Sequence, residues 1–206
     1  MSNKAIITFI IPTIGRNTLS NTINSLINQT NSFWKAIVIF DGIIPTYETD
    51  DQRIQILQCE KLGEGVNRAG FVRNYGMNFV DTEWIGFVDD DDTLSPNYVE
   101  QLIKETNQFN TIDIIIFRMF NQENNTILPQ LETDNFYEAQ VGISFAIKKK
   151  IFDQGCQFIA SGTEDYSYLE NAKNDGHKIM ISPYITYFVR NNDYSIYKIV
   201  GNRVFI

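Results

Sequence analysis

The chain has 206 residues, 43% hydrophobic and 13% aromatic, enough to bury one sizeable core and too few for two ordinary domains with separate cores. A formal net charge of -8 and a pI near 4.7 exclude a nucleic-acid partner, since backbone phosphates are held by a basic footprint that releases counterions. An anionic ligand must therefore meet a few placed Arg and Lys side chains, or a divalent cation seated on carboxylates.

The apolar, β-branched run at 5–11, closed by Pro12, predicts a strand covered on both faces, as in a parallel sheet. Leu19, Ile23, Leu26 and Ile27 recur at helical spacing behind Asn17 and Thr18, either of which can cap the first turn. A second strand at 36–40 ends at Asp41-Gly42, which completes a βαβ unit with a carboxylate at its second strand's carboxyl end. A short strand follows at 53–57, and Gly63 with Gly65 marks a turn before a helix over about 66–80. The next buried strand, 84–88, runs straight into Asp89-Asp90-Asp91-Asp92. Ser95 as cap and Pro96 in the first turn then predict a helix with Tyr98, Val99, Leu102 and Ile103 on its apolar face.

Residues 113–117 and 143–147 read as strands, 121–135 as a surface hairpin or loop, and 163–175 as a helix stopped by Gly176. The runs 178–182 and 184–189 close the fold. The expectation is a single α/β domain over 1–206, a mostly parallel mixed sheet flanked by helices, with ligands at the carboxyl ends of its strands. Cys59 and Cys156 lack CxxC spacing and a Cys/His set, so both read as reduced structural thiols. The apolar start is cut short by Pro12, Gly15 and Arg16 with no small-residue cleavage site, and no stretch reaches the roughly 18 apolar residues of a membrane span. A soluble, cytoplasmic protein is expected.

Four consecutive carboxylates at the end of an apolar strand repel one another. A solvated acidic turn is one reading of Asp89 to Asp92; a hard divalent cation with oxygen ligands, bridging the run to a diphosphate, is the other. The strand delivers the run to the ligand-binding edge of the sheet, which favours the cation.

In order along the chain stand Ile11-Pro12-Thr13, Phe40-Asp41-Gly42, Val72-Arg73-Asn74-Tyr75-Gly76, the four aspartates followed by Pro96, Gly162-Thr163-Glu164-Asp165-Tyr166, Gly176, and Phe188-Val189-Arg190. This set resembles the family 2 glycosyltransferases of GT-A fold: a strand ending in Pro-Thr, one ending in Asp-Asp-Gly, an Ala-Arg-Asn-x-Gly helix, an Asp-x-Asp motif, and a Glu-Asp pair opening a late helix. The resemblance implies an inverting, hexosyltransferase-type enzyme that moves a sugar from a nucleotide-diphosphate sugar, with uridine diphosphate as the default carrier. It implies Mn2+ or Mg2+ as cofactor and a glycan, protein or small-molecule acceptor. Residues 1–95 would form the nucleotide-sugar half and 96–206 the acceptor half.

Carried over position by position, the resemblance makes Asp41 the acceptor of a hydrogen bond from the base, with Pro12 and Thr13 lining the same pocket. Arg73 would help hold the nucleotide. Asp89 to Asp91 would be the Asp-x-Asp motif: Asp91 the direct metal ligand, Asp89 nearer the ribose or the metal's water shell, and Asp90 beside the donor. Displacement at the anomeric carbon needs a carboxylate within reach of the acceptor hydroxyl, and Asp165 fits that base, with Glu164 positioning the acceptor. Acidic residues in a helix's first turn are also stabilised by its dipole, which is the alternative for both.

The pattern departs in two places. Phe40 stands where the family often has a first acidic residue, and Arg190-Asn191-Asn192 lacks the histidine that some members carry near there, which puts the strength of metal binding in question. His177 reads as a partner of a helix C-terminus, and Arg68 and Lys148-Lys149-Lys150 as an anion attractor or a solvated basic face. Tyr184, Tyr187, Tyr194 and Tyr197 read as sugar-binding or homodimer-forming aromatics, with core packing as the alternative. Asp89-x-Asp91-x-Thr93-Leu94 also satisfies the haloacid dehalogenase pattern, in which Asp89 would be a phosphatase nucleophile. A non-catalytic module that binds nucleotide-sugar or glycan is the third reading.

Overall fold

A computed structural model of the chain describes residues 4–62 and 69–190 and the backbone of two short strands beyond them. The elements run β1 (Ile7–Thr13), α1 (Leu19–Ile27), β2 (Trp34–Asp41), β3 (Ile54–Cys59), α2 (Ala69–Met77), β4 (Trp84–Phe87), β5 (Thr93–Leu94) and α3 (Tyr98–Gln108). They continue with β6 (Ile114–Asn121), β7 (Thr126–Leu128), β8 (Phe145–Lys148), α4 (Lys149–Asp153), α5 (Glu164–Asn174), β9 (Ile179–Val189), β10 (Lys198–Val200) and β11 (Arg203–Phe205).

The main sheet has the order β3-β2-β1-β4-β8-β6-β9-β5, with β7 as a hairpin partner of β6. Its first four strands are parallel, and β6 and β9 are also parallel, whereas β8, β7 and β5 pair antiparallel with their neighbours. The parallel expectation thus describes the first half, and the second half supplies the mixed character. All of β1 is buried, in keeping with its unbroken apolar run and its place between two parallel neighbours. Helix α2 lies close over β1 and β2 because Gly76 has no side chain; a Cβ there would collide with Ile39 and Ile10.

Three local expectations are corrected. Neither Asn17 nor Thr18 caps α1 through its side chain: Thr18 occupies the cap position in helical conformation without a side-chain cap bond. Ser95 does not cap α3, which starts at Tyr98 behind Asn97. The Ser95 N–H instead donates to the Thr186 carbonyl on β9 (2.9 Å), and the Pro96 carbonyl accepts from the Thr30 N–H just past α1 (2.7 Å), so both residues are held outside the helix. The two closing runs are one strand, β9, whose register against β6 slips between Ile116 and Arg118 opposite Pro183, a bulge that spares the proline a ladder bond.

Candidate active site

Because β1, β2 and β4 are parallel and in register, their carboxyl ends deliver Pro12-Thr13, Asp41 and the aspartate run to one edge. Gly15 and Gly42, at φ +82° and +73°, turn the chain away from that edge in the left-handed region. The result is a cavity of about 390 Å³ whose wall includes Pro12, Thr13, Arg16, Asp41, Lys61, Asp89 and Asp90. The Thr13 hydroxyl donates to Asp90 Oδ2 at 2.6 Å and itself accepts from the Gly15 N–H at 2.9 Å, which fixes the β1 turn to the acidic loop. Asp41 is 8% exposed, and its Oδ1 accepts from the Leu62 N–H at 2.8 Å. Phe40, which replaces the family's other acidic residue, is wholly buried in the core.

Arg73 stands behind Asp89 rather than in the cavity wall and is 2% exposed. Its Nη2 donates to Asp89 Oδ1 at 2.5 Å and its Nη1 to Glu164 Oε1 at 2.6 Å, while Asp165 Oδ1 lies 3.8 Å away. Burial works against its charge, but Asp89, Asp165 and Glu164 together outweigh burial and hold the guanidinium protonated even more firmly than usual. Glu164 Oε2 also accepts from the Gly70 N–H at 3.1 Å, an approach that a side chain at position 70 would block. Asp165 Oδ1 has no hydrogen-bond partner, and burial pushes its carboxyl up to about 7, against the pull of Arg73 and with the help of Asp89 and Glu164. A quarter of the Asp165 side chain stays open to a second cavity of about 240 Å³, bordered by Ala139, Val141, Gly162, Thr163 and Tyr166.

Within the acidic loop the four carboxylates go separate ways. Asp89 turns to Arg73, and Asp90 is 4% exposed and turns inward to Thr13 and Arg16. Asp91 meets Arg16 Nη1 at 2.9 Å. Asp92 is buried, accepting from the Tyr187 hydroxyl at 2.6 Å and the Arg190 N–H at 2.7 Å; burial, with Asp89 next, pushes it up to about 8. The Thr22 hydroxyl on α1 donates to the Asp92 carbonyl at 2.7 Å, pinning the loop from below.

Carboxylate oxygens of Asp89, Asp91 and Asp92 lie within 4.8 Å of one another, an oxygen-only set that suits a hard divalent cation. Asp92 was missed by sequence reasoning, because the Asp-x-Asp spacing singles out Asp89 and Asp91 and the hydroxyl that turns Asp92 comes from β9, far along the chain. Tyr187 is accordingly a fully buried loop anchor, not an exposed aromatic. Tyr184 receives a hydrogen bond from Lys104 at 3.1 Å, and Tyr194 and Tyr197 lie outside the described residues, as does Arg68. Lys150 pairs with Asp113 at 2.6 Å, with Lys148 and His177 each 4.0 Å from the same carboxylate, which accounts for that basic run without a ligand. Both cysteines are free and buried. No helix among the described residues is long and apolar enough to cross a membrane.

Comparison with known proteins places this geometry. The glycosyltransferase GlyA of Streptococcus pneumoniae is 28% identical over 142 residues, 64% of this chain and 20% of GlyA. The uncharacterized glycosyltransferase EpsJ of Bacillus subtilis is 29% identical over 126 residues, 56% of this chain and 35% of EpsJ. The chain therefore spans at most about a third of these relatives. Among solved structures, S. aureus TarS 1–349 in complex with UDP superposes with a TM-score of 0.73 at 18% identity, over 89% of this chain and 60% of that one. The same protein with UDP-GlcNAc gives 0.71 at 16%, over 89% and 58%. These superpositions show the fold, and the family model for glycosyl transferase family 2 matches residues 8–164. Since that match runs from β1 to the first residue of α5 and takes in Asp41, Arg73, the acidic loop and Glu164, the chain belongs to glycosyl transferase family 2 and has its GT-A fold.

Proposed function

We propose that the chain transfers a sugar, with inversion, from a UDP-sugar to an acceptor hydroxyl, with a divalent cation as cofactor. One observation carries the reading: a single buried guanidinium, Arg73, ties Asp89 at the first cavity to Glu164 and Asp165 at the second, so a carboxylate pushed up to about 7 is linked to the acidic loop through one arginine. Asp41 accepts a hydrogen bond from the base, Pro12 and Thr13 wall the nucleotide, and Asp89 and Asp90 border the sugar-phosphate. Residues 1–95 make the donor half and 96–206 the acceptor half of one domain. UDP as carrier is supported by the neighbour's complexes with UDP and UDP-GlcNAc.

The reaction needs little from the protein beyond placement and a proton acceptor. The acceptor oxygen attacks the anomeric carbon as the bond from that carbon to the phosphate oxygen breaks; the hydroxyl proton passes to the Asp165 carboxylate on the side open to the second cavity, and UDP leaves with the bonding pair. Glu164 is held by Arg73 and the Gly70 N–H and so keeps the first turn of α5, with Asp165, in place. Asp89, Asp91 and Asp92 would hold Mn2+ or Mg2+, which supplies positive charge against the departing diphosphate. The haloacid dehalogenase reading yields to the family match, and Asp89 follows β4 and is held by Arg73, not free as a nucleophile.

Thermal unfolding with UDP-sugars, with and without manganese, tests the reading. UDP-sugar with manganese should raise the melting temperature of the native chain, the Asp91→Ala variant should lose the manganese-dependent part, and UDP should be released when hydroxyl acceptors are offered. No stabilisation by any UDP-sugar would sink the donor assignment; stabilisation without turnover would favour a non-catalytic binding module.

A further inference from the structure

Among the described residues around the donor cavity, the family reading leaves Arg16 and Lys61 without a task, and of the two Arg16 is the one paired with the acidic loop. It follows the Gly15 turn at the end of β1, its side chain is 48% exposed, and it forms part of the cavity wall. One nitrogen, Nη1, makes both of its ion pairs, at 3.0 Å to Asp90 Oδ1 and 2.9 Å to Asp91 Oδ2. Its two partners differ in a way that matters. Asp90 is buried and has a second hold in the Thr13 hydroxyl, so it stays put without Arg16. Asp91 is more open, and its carboxylate is one of the three that converge as a candidate cation set. The arginine therefore sits on the only one of the three whose charged partner is itself half exposed and free to move.

The charge balance of the cavity gives this contact a direction. Among the described residues its charged wall consists of Asp41, Asp89 and Asp90 against Arg16 and Lys61, one negative charge in excess before a diphosphate enters. A diphosphate cannot settle there unless cationic charge is added and the existing cations face it. From this arrangement, and resting on the UDP-sugar reading above, we infer that Arg16 is an exchangeable internal cation: it holds Asp91 in the ligand-free protein, yields it when a divalent ion arrives, and turns its guanidinium to the donor's diphosphate. The exchange gives each moving group a new partner, while Asp90 keeps the Thr13 hydroxyl. Asp91 passes from a guanidinium to the metal, and the guanidinium passes from a carboxylate to a phosphate, for which its planar donor fork is well matched. Because the Arg16 to Asp91 pair is exposed, giving it up costs little. Arg16 thereby makes metal and nucleotide binding depend on each other: each ligand completes the partner that the other has released.

The signature is a pair of effects of opposite sign. Removing the charge with Arg16→Gln takes away a competitor for Asp91 and leaves the loop more negative, so Mn2+ alone should bind roughly two- to fivefold more tightly. The same change removes a charged donor to the diphosphate, so UDP in the presence of Mn2+ should bind on the order of tenfold more weakly. Arg16→Lys, which keeps the charge without the fork, should fall between the native chain and Arg16→Gln on both scales. Titration calorimetry with MnCl2, then with UDP at saturating MnCl2, reads both numbers without any turnover, and urea unfolding checks that each variant is folded. Weakening of both ligands, or no change in either, would overturn the inference while leaving the donor assignment intact. A native chain that binds neither UDP nor Mn2+ would overturn it together with that assignment.

Discussion

The donor edge and the acceptor side of this molecule are built by different means. At the donor edge each polar residue ends its own strand or follows it within two residues, and parallel pairing of β1, β2 and β4 brings the strand ends together. On the acceptor side, Asp165 depends on Arg73 from a distant helix, and the opposite wall at Ala139 and Val141 belongs to an irregular stretch. That stretch is tied down by Arg118, whose Nη2 donates to the carbonyls of Gln130, Leu131 and Thr133 at 3.3, 3.2 and 3.0 Å. Backbone pairing is spread over many bonds and survives single substitutions, whereas geometry held by one side chain does not. The donor edge should therefore tolerate changes that disable the acceptor side.

The largest expected effect separates the two sides cleanly. Asp165→Asn keeps the shape and the helix turn but cannot take a proton, so kcat/KM should fall by roughly a thousandfold, within the usual range for loss of a general base. The affinity for UDP should stay near that of the native chain, because no donor contact is removed. Parallel loss of affinity and rate would mean that Asp165 belongs to the donor edge and that the division of labour is wrong.

Arg73 is where the two sides join, so its removal should break both. With Arg73→Met, Asp89, Glu164 and Asp165 are left facing one another without their shared guanidinium. Breaking a buried charge network from one side typically costs about 3–5 kcal/mol, to be read as the shift in urea unfolding free energy. A loss under about 1 kcal/mol would show that water or rearranged side chains replace the arginine at little cost, and that Arg73 organises less than the geometry suggests.

The same contrast governs what could be read from the sequence. The donor edge was legible because strands with unbroken apolar runs announce themselves and because Thr13, Asp41 and Asp89 lie at their ends. Helix α5 and its Glu164-Asp165 start were legible for a similar reason, a local pattern ended by Gly176. What was not legible depends on contacts between residues far apart. The Tyr187 hydroxyl reaches Asp92 and the Asp89 N–H across 95 and 98 positions of sequence, and nothing near Asp92 marks it apart from its neighbours. Ser95-Pro96 carries a proper helix start signal, yet bonds to Thr186 on β9 and to Thr30 past α1 keep that stretch out of the helix. Arg16 served only as the end of an apolar run until the fold laid it across Asp90 and Asp91.

A smaller effect sharpens the comparison through pH. Burial raises Asp165 to about 7, so between the usual carboxylate range and pH 7 the native protein keeps a proton that the unfolded chain has lost. Stability must then fall as pH rises through that window, the opposite of a salt-bridged carboxylate whose pKa is depressed. Asp165→Asn has no such proton to lose, so its unfolding free energy should decline less steeply from about pH 5 to pH 7.5, and its gain over the native chain should be greatest at the alkaline end. Catalysis runs the other way, since a base must be ionised to accept a proton: kcat/KM of the native chain should climb up to about pH 7 and then level off. Activity would thus rise over the same interval in which stability falls, both from one carboxyl group. A rate independent of pH from 5 to 9, measured where the chemical step limits turnover, would take the proton away from Asp165 and leave its raised pKa as a consequence of packing alone.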